Sequence, residues 1–226
     1  MSKMTTKPGL LLITGLFLAL TVSGCINTPL PDYYVLTPER AEIPLQPGSS
    51  VYQEKLANLA VGIGPITIPE TLNRPNIVTP LDSNQLEVAE YHRWSEPLRE
   101  NLSRVVITNI AGRLGINKLY AYPWLGSQID LQVRIDVLQM IGSIETDVFL
   151  QVRWQLLSGD KKPKLIDTRI TEYRQPVRES SYSSMVAAYS QVVAEFSDDV
   201  AGLIGSQSTE LSLHDAISYK KLARLD

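Results

Sequence analysis

The chain has 226 residues, 44% of them hydrophobic, and carries 21 basic and 24 acidic side chains for a formal net charge of -3. That balance fits one globular domain and excludes a disordered or fibrous chain, while the slight acidity argues against nucleic acid, whose binders concentrate positive charge. The single cysteine, Cys25, excludes an internal disulfide framework.

Residues 1–24 read as a secretory signal peptide. Lys3 and Lys7 precede the apolar run from Leu10, LLLITGLFLALTVSG, which has the charged start, short apolar middle and small-residue end of such a segment. A membrane-spanning helix needs about 20 predominantly apolar residues, and this run is interrupted by Thr14, Gly15, Thr21 and Ser23. Val22-Ser23-Gly24-Cys25 resembles the lipobox of bacterial lipoproteins, which makes Cys25 the acylated first residue of the mature chain. Each buried methylene contributes about 0.8 kcal/mol, and a second acyl chain turns marginal binding into stable anchoring. The alternative is an ordinary cleaved signal with a chance cysteine. Cleavage removes Lys3 and Lys7 from the 21 basic residues and no acidic one, leaving 19 against 24. Position 26 is isoleucine, not the aspartate that the lipoprotein sorting rule ties to the inner membrane. That resemblance implies the periplasmic face of the outer membrane.

Residues 25–50 are proline-rich and read as a tether, because proline stiffens an extended chain and suppresses helix. Within it, Tyr33-Tyr34-Val35-Leu36 has strand composition and is expected at a sheet edge. The folded domain is expected over 51–205. Its first element, Leu59 to Ile68, is an almost unbroken apolar run containing Pro65, so a buried strand with a bulge or an edge position is predicted. Gly62-Ile63-Gly64 is not a nucleotide loop: the third glycine is missing, and prolines follow where a phosphate-binding helix would start. Asn76 to Thr79 and Leu86 to Val88 are short strands forming a hairpin, and Arg74, held extended before Pro75, is a surface or partner-contact residue.

Glu90 to Glu96 reads as a segment entering a helix, with Ser95 as N-cap and Glu96 and Pro97 in the first turn. Leu98, Leu102, Val105, Val106, Ile110 and Leu114 recur at helical spacing, Gly115 marks the stop, and Gly112 is expected to allow close approach to a strand. Tyr120 to Trp124 is an aromatic connector. Three alternating segments follow, from Ile129, from Val148 and from Leu165, and predict three long antiparallel strands. The apolar stripe from Tyr182 to Ile204 is the clearest helix, opened by serines and closed at Gly205, with 206–226 as an accessory tail. The fold class is therefore α/β in the α+β sense: a two-layer sandwich, with a mixed but mostly antiparallel sheet packed by two main helices.

Catalytic chemistry is not legible. His92 and Ser95 are close in sequence, but no G-x-S-x-G elbow supports a nucleophile. The two histidines, His92 and His214, lie far apart with no metal-binding spacing between them. Trp154 alternates with polar neighbours and belongs in the core, and Trp94 and Trp124 sit at element boundaries. The reading is no enzyme, no catalytic residue, no metal and no cofactor.

Several stretches in a fixed order carry a resemblance: the lipobox, Tyr33-Tyr34-Val35-Leu36, Val61-Gly62-Ile63-Gly64-Pro65, Leu72-Asn73-Arg74-Pro75, and Trp94-Ser95-Glu96-Pro97-Leu98. Together they resemble the PqiC (YmbA-like) family of ABC-type transport auxiliary lipoproteins, over roughly residues 33–204. The resemblance implies an outer-membrane lipoprotein of a Pqi-like intermembrane lipid transport system, partnered by a periplasmic MCE-domain protein anchored in the inner membrane. Tyr33, Tyr34, Arg74 and Trp94 are the candidate contacts for that partner or for a homo-oligomer. The alternatives are a structural or assembly lipoprotein of the envelope and, less favoured, a lipid-anchored hydrolase.

Overall fold

Alternation of apolar and polar residues puts every second side chain on one face of a strand, and the three alternating segments pair on that basis. β6 (Leu131–Gly142), β7 (Asp147–Ser158) and β8 (Leu165–Pro176) form an antiparallel meander. Val133 faces Leu156, Ile135 faces Trp154 and Val137 faces Val152. All six are buried, whereas the intervening Arg134 and Arg153 are exposed. The structure is a computed structural model describing residues 29–39, 56–124, 128–159 and 162–222, with side chains described as far as 207. The signal peptide, Cys25 and most of the expected tether lie outside these residues; the described fold belongs to one unit, Pro31–Asp226.

The meander is extended on its β6 side by β2 (Val61–Thr67) and then β5 (Leu119–Ala121), both parallel to their neighbours, giving the order β5-β2-β6-β7-β8. β2 is thus internal, and of the two expectations for Pro65 the bulge is the one found. The register with β6 shifts between Ile63 and Ile66, and Gln132 Nε2 donates to the Gly64 carbonyl at 3.1 Å where ladder pairing lapses. β5 overlaps the start of the stretch expected as a connector, Tyr120 to Trp124; three residues are too few to show a period.

A second, smaller sheet accounts for the remaining strands, where the sequence suggested one continuous sheet. β1 (Asp32–Tyr34) lies parallel to β4 (Leu86–Trp94), which pairs antiparallel with β3 (Asn76–Pro80), in the order β1-β4-β3. The expected hairpin of β3 and β4 is present, but β4 runs on through the segment expected as a loop before the helix. Its register with β3 shifts between Asn76 and Val78. That irregularity breaks the alternation that would have marked a long strand.

Two helices cover one face of the larger sheet. α1 (Leu98–Leu114) lies on β2 and β5, α2 (Tyr182–Leu222) on β7 and β8, and the helices pack against each other. α1 begins after Pro97 without a side-chain cap, so Ser95 is not its N-cap. Glu96 instead accepts from Asn101 Nδ2 at 2.7 Å and from the Arg104 guanidinium at 2.5 Å. The stop at Gly115 is as expected, with φ +67 and an N–H bonded to the Ala111 carbonyl. In α2 the cap is Ser181, whose Oγ accepts from the Ser184 N–H at 3.1 Å, while the Ser184 hydroxyl accepts from the Glu179 N–H. α2 does not close at Gly205 but continues to Leu222, so helix and expected tail are one element. Gly202 and Gly205 are both tolerated inside a helix whose neighbours carry the propensity.

The core lies between helices and sheet. Met185, Tyr189, Val192, Val193, Phe196, Val200 and Ile204 of α2 meet Val148, Leu150, Val152 and Trp154 of β7. Gly142 allows this contact at the end of β6, since a Cβ there would sit 2.7 Å from the Tyr189 hydroxyl. Gly112 has no such role: a Cβ at Gly112 would meet nothing within 4 Å, and the residue is exposed on α1. Gly112→Ala should therefore raise stability by up to about 1 kcal/mol, the difference in helix-interior cost between glycine and alanine. Chemical denaturation measures it, and a lower midpoint would mean that the helix needs glycine there.

Candidate functional site

Residues 31–37 leave the proline-rich segment and enter the domain as a strap. Tyrosines and a β-branched residue favour the extended form, and β1 takes its register from β4: Asp32 with His92, Tyr33 with Arg93, Tyr34 with Trp94. The Ser95 N–H donates to the Tyr34 carbonyl at 2.8 Å. The next inward side chain, Leu36, is fully buried. Burying leucine stabilises by about 1.5–3 kcal/mol, but it takes a stretch of backbone into the core that must find partners. Asn101 of α1, itself 1% exposed, supplies them: its Oδ1 accepts from the Leu36 N–H at 2.8 Å and its Nδ2 faces the Leu36 carbonyl at 3.4 Å. The Thr37 N–H donates to Ser190 Oγ of α2 at 3.1 Å. One short segment thus ties the smaller sheet to both helices.

An aromatic cluster closes the other side of the strap. The Tyr34 hydroxyl and His92 Nδ1 are hydrogen-bonded at 2.8 Å, and the His92 ring stacks on Tyr182 with centroids 3.8 Å apart. Asp32 Oδ2 lies 3.7 Å from the same imidazole nitrogen. Burial pushes the Tyr34 phenol above its ordinary pKa, with further contributions from Asp32 and Tyr182. Burial also raises Tyr182, joined by the nearby Glu87 charge and partly offset by a hydrogen bond with Thr79. Both tyrosines stay neutral, as ring packing and hydrogen bonding require. His92 is engaged with Tyr34 and Tyr182, and Ser95 serves the strap through its backbone.

The four residues expected as partner contacts come together around the small sheet, in different environments. Tyr33 is 62% exposed on the strap. Tyr34 points the other way, into the aromatic cluster. Arg74 is exposed beside an open groove of about 350 Å³ lined also by Asn73, Pro75, Ser95 and Glu96. Trp94 is only 7% exposed and packs toward Tyr189 with ring centroids 6.4 Å apart. It is a core residue with one edge on the Arg74 groove. The Trp94 N–H donates to the Pro75 carbonyl at 2.7 Å, which brings Arg74 beside the strap.

A larger open groove, about 730 Å³, runs between α1 and the β5 edge and is lined by Ile63, Ile66, Arg99, Ile107, Leu119 and Tyr122 among others. Sequence reasoning passed over it because its residues come from separate elements, β2, α1 and β5, that only the fold brings together. The unpaired apolar positions around Leu119 to Tyr122 were its one available signal.

The fold and the strap can be set beside known proteins. The sequence model for the ABC-type transport auxiliary lipoprotein component matches residues 42–201. The chain belongs to that family. In this family lipoprotein no helix among the described residues is long and apolar enough to cross a membrane, and the strap is the described segment nearest in sequence to Cys25. Two crystal structures share its fold. One, of a protein titled only as uncharacterized, is 19% identical with a TM-score of 0.61 and covers 78% of this chain and 99% of its own. The other, from Xanthomonas campestris, is 15% identical with a TM-score of 0.59 and covers 80% of this chain and 99% of its own. No curated protein matches this lipoprotein significantly.

Proposed function

We propose that this lipoprotein is the outer-membrane subunit of an MCE-type, Pqi-like intermembrane lipid transport system. Anchored through Cys25 at the periplasmic face of the outer membrane, it docks the outer end of an inner-membrane-anchored MCE tunnel, associates with further copies of itself, and supports envelope integrity. It acts by position and not by catalysis.

The observation that carries this reading is the strap. Asp32 is seven residues beyond Cys25, a reach of at most about 25 Å for a fully extended chain. The strap is built into the fold through Leu36 and Asn101. A lipid at Cys25 would then hold the domain close to the bilayer, with Tyr33 and Arg74 exposed on the strap side. Such a short, docked connection suits an adaptor that presents a fixed face to a partner.

Capture of a purified MCE-domain protein by the full-length acylated chain in detergent tests the reading. The double variant Tyr33→Ala, Arg74→Glu should lower capture by about tenfold or more, as expected when exposed aromatic and arginine anchors are lost, without shifting the unfolding midpoint. Cys25→Ser should move the protein into the soluble periplasmic fraction. A wild-type chain that captures no MCE protein and has a strictly monomeric mass overturns the proposal.

A further inference from the structure

The open edge of the larger sheet at β5 has an acceptor geometry that the reading above does not use. β5 pairs with β2 through alternate residues: the Val61 N–H donates to the Lys118 carbonyl and the Tyr122 N–H to the Ile63 carbonyl. In a parallel ladder this turns the N–H and C=O groups of Leu119 and Ala121 toward the free edge, where they have no backbone partner among the described residues. Unpaired edges are templates for another strand, and proteins blunt them with charges or proline. β8, the opposite edge, carries Asp167, Arg169, Glu172 and Arg174 and ends at Pro176. β5, Leu-Tyr-Ala, carries no charge.

The space beside this edge is shaped for a chain. The groove of about 730 Å³ extends along α1 from Arg99 past Ser103 to Ile107, about 12 Å at 1.5 Å per residue. That length takes about four residues of extended strand. The side chains of Ile107, Leu119 and Tyr122 offer it an apolar wall.

Charge selects the occupant. Arg99 and Arg104 line the groove with Glu100, and Lys118 stands at the start of β5. Arg104 is paired with Glu96 and the Lys118 ammonium faces the Asn58 carbonyl, whereas Arg99 is exposed and without an ion pair among the described residues. With Glu96 and the exposed Glu100 counted, three cations stand against two carboxylates here, a local positive excess on a chain whose net charge is -3. An acyl chain would fill the apolar wall and leave the backbone groups of Leu119 and Ala121 unmet.

We propose that the groove between α1 and the β5 edge binds an extended, acidic peptide segment of a partner protein, which adds to the sheet as a strand beside β5. The site shares no lining residue with the Arg74 groove and does not depend on the transport system assigned above. Recognition is by main-chain hydrogen bonds, with alternate side chains of the peptide entering the groove.

The full-length chain in detergent is titrated with a fluorescent decapeptide alternating valine with glutamate and threonine, and with a counterpart carrying lysine for glutamate. Amide exchange is followed at Leu119 and Ala121. The acidic peptide should bind and slow exchange at both amides, and the lysine peptide should bind about tenfold more weakly. Ala121→Pro, which removes one outward N–H, should weaken the acidic peptide by about tenfold. Arg99→Glu, an exposed change on α1, should invert the preference between the two peptides and keeps the test decisive if Ala121→Pro fails to fold. Amides already protected in the free chain, no effect of the acidic peptide on them, or a preference unchanged by Arg99→Glu overturns the proposal. So does displacement of the peptide, with equal protection of both amides, by vesicles of phosphatidylethanolamine and phosphatidylglycerol, which would make the groove an amphiphile site.

Discussion

Leu36→Ala is expected to release the strap before it unfolds the domain. Truncating a fully buried leucine typically costs about 2–5 kcal/mol, and Leu36 is 0% exposed. The strap is nevertheless short, held by three paired residues of β1, by Asn101 and by Ser190. A segment that can leave by itself loses only its own docking free energy, so the damage is confined to it. Amide exchange over 33–37 should accelerate about thirtyfold for a loss of about 2 kcal/mol, while β6 and β7 keep their protection. Asn101→Leu should mimic it, because the Leu36 N–H and C=O would lose their buried partner at a cost of about 1–3 kcal/mol. The two changes act on one contact, so the double variant should cost less than the sum. A uniform loss of protection across β6 and β7 in Leu36→Ala would show that the strap is integral to the global fold.

Trp154→Ala should do the opposite and unfold the domain as a whole. Trp154 is 1% exposed at the centre of β7, with Phe196 edge-on at a centroid distance of 6.2 Å and the Arg169 guanidinium 5.5 Å from its ring centroid. Its indole N–H donates to Thr171 Oγ1 at 3.2 Å. Removing the ring deletes contacts of both helix and sheet layers and one hydrogen bond of the Thr171 hydroxyl, a change of about 3–5 kcal/mol. Total stabilities of about 5–15 kcal/mol are usual, so a large part of the fold's margin disappears. The denaturation midpoint should fall steeply with the transition still cooperative, and exchange should quicken in β6, β7 and α2 together. Trp154→Phe, which keeps most of the volume, should recover much of the loss. A Trp154→Ala domain as stable as the wild type would remove β7 from the centre of the core.

The periodic segments were legible for a physical reason. The stripes of α1 and α2 and the alternation of β6 and β7 are repeated choices between water and core, written once per turn or once per pair; in the edge strand β8 the alternation marked a strand but no core face, since Ile166 and Ile170 are exposed. Trp154 was assigned to the core on that pattern and lies there. Where the pattern is short or broken, the reading lost resolution. β5 has three residues, and the register shift between β3 and β4 hides the length of β4. The cap expected at Ser95 failed because Glu96, one residue on, is drawn to Asn101 and Arg104, partners that only the folded helix supplies. Trp94 sits at an element boundary, and whether such a ring faces solvent or core depends on Tyr189, distant in sequence.

By itself, the sequence determined the class of fold and the layering of a sheet against two helices, because local composition and periodicity carry those facts. The tertiary structure alone decided that the strands divide into two sheets, that β2 is internal despite Pro65, and that α2 runs on to Leu222. It also decided that Tyr33 and Tyr34 part company, one to solvent and one to His92. Above all it showed Leu36 in the core between Asn101 and Ser190, since a lone leucine after a proline-rich stretch acquires meaning only from the groups that close around it.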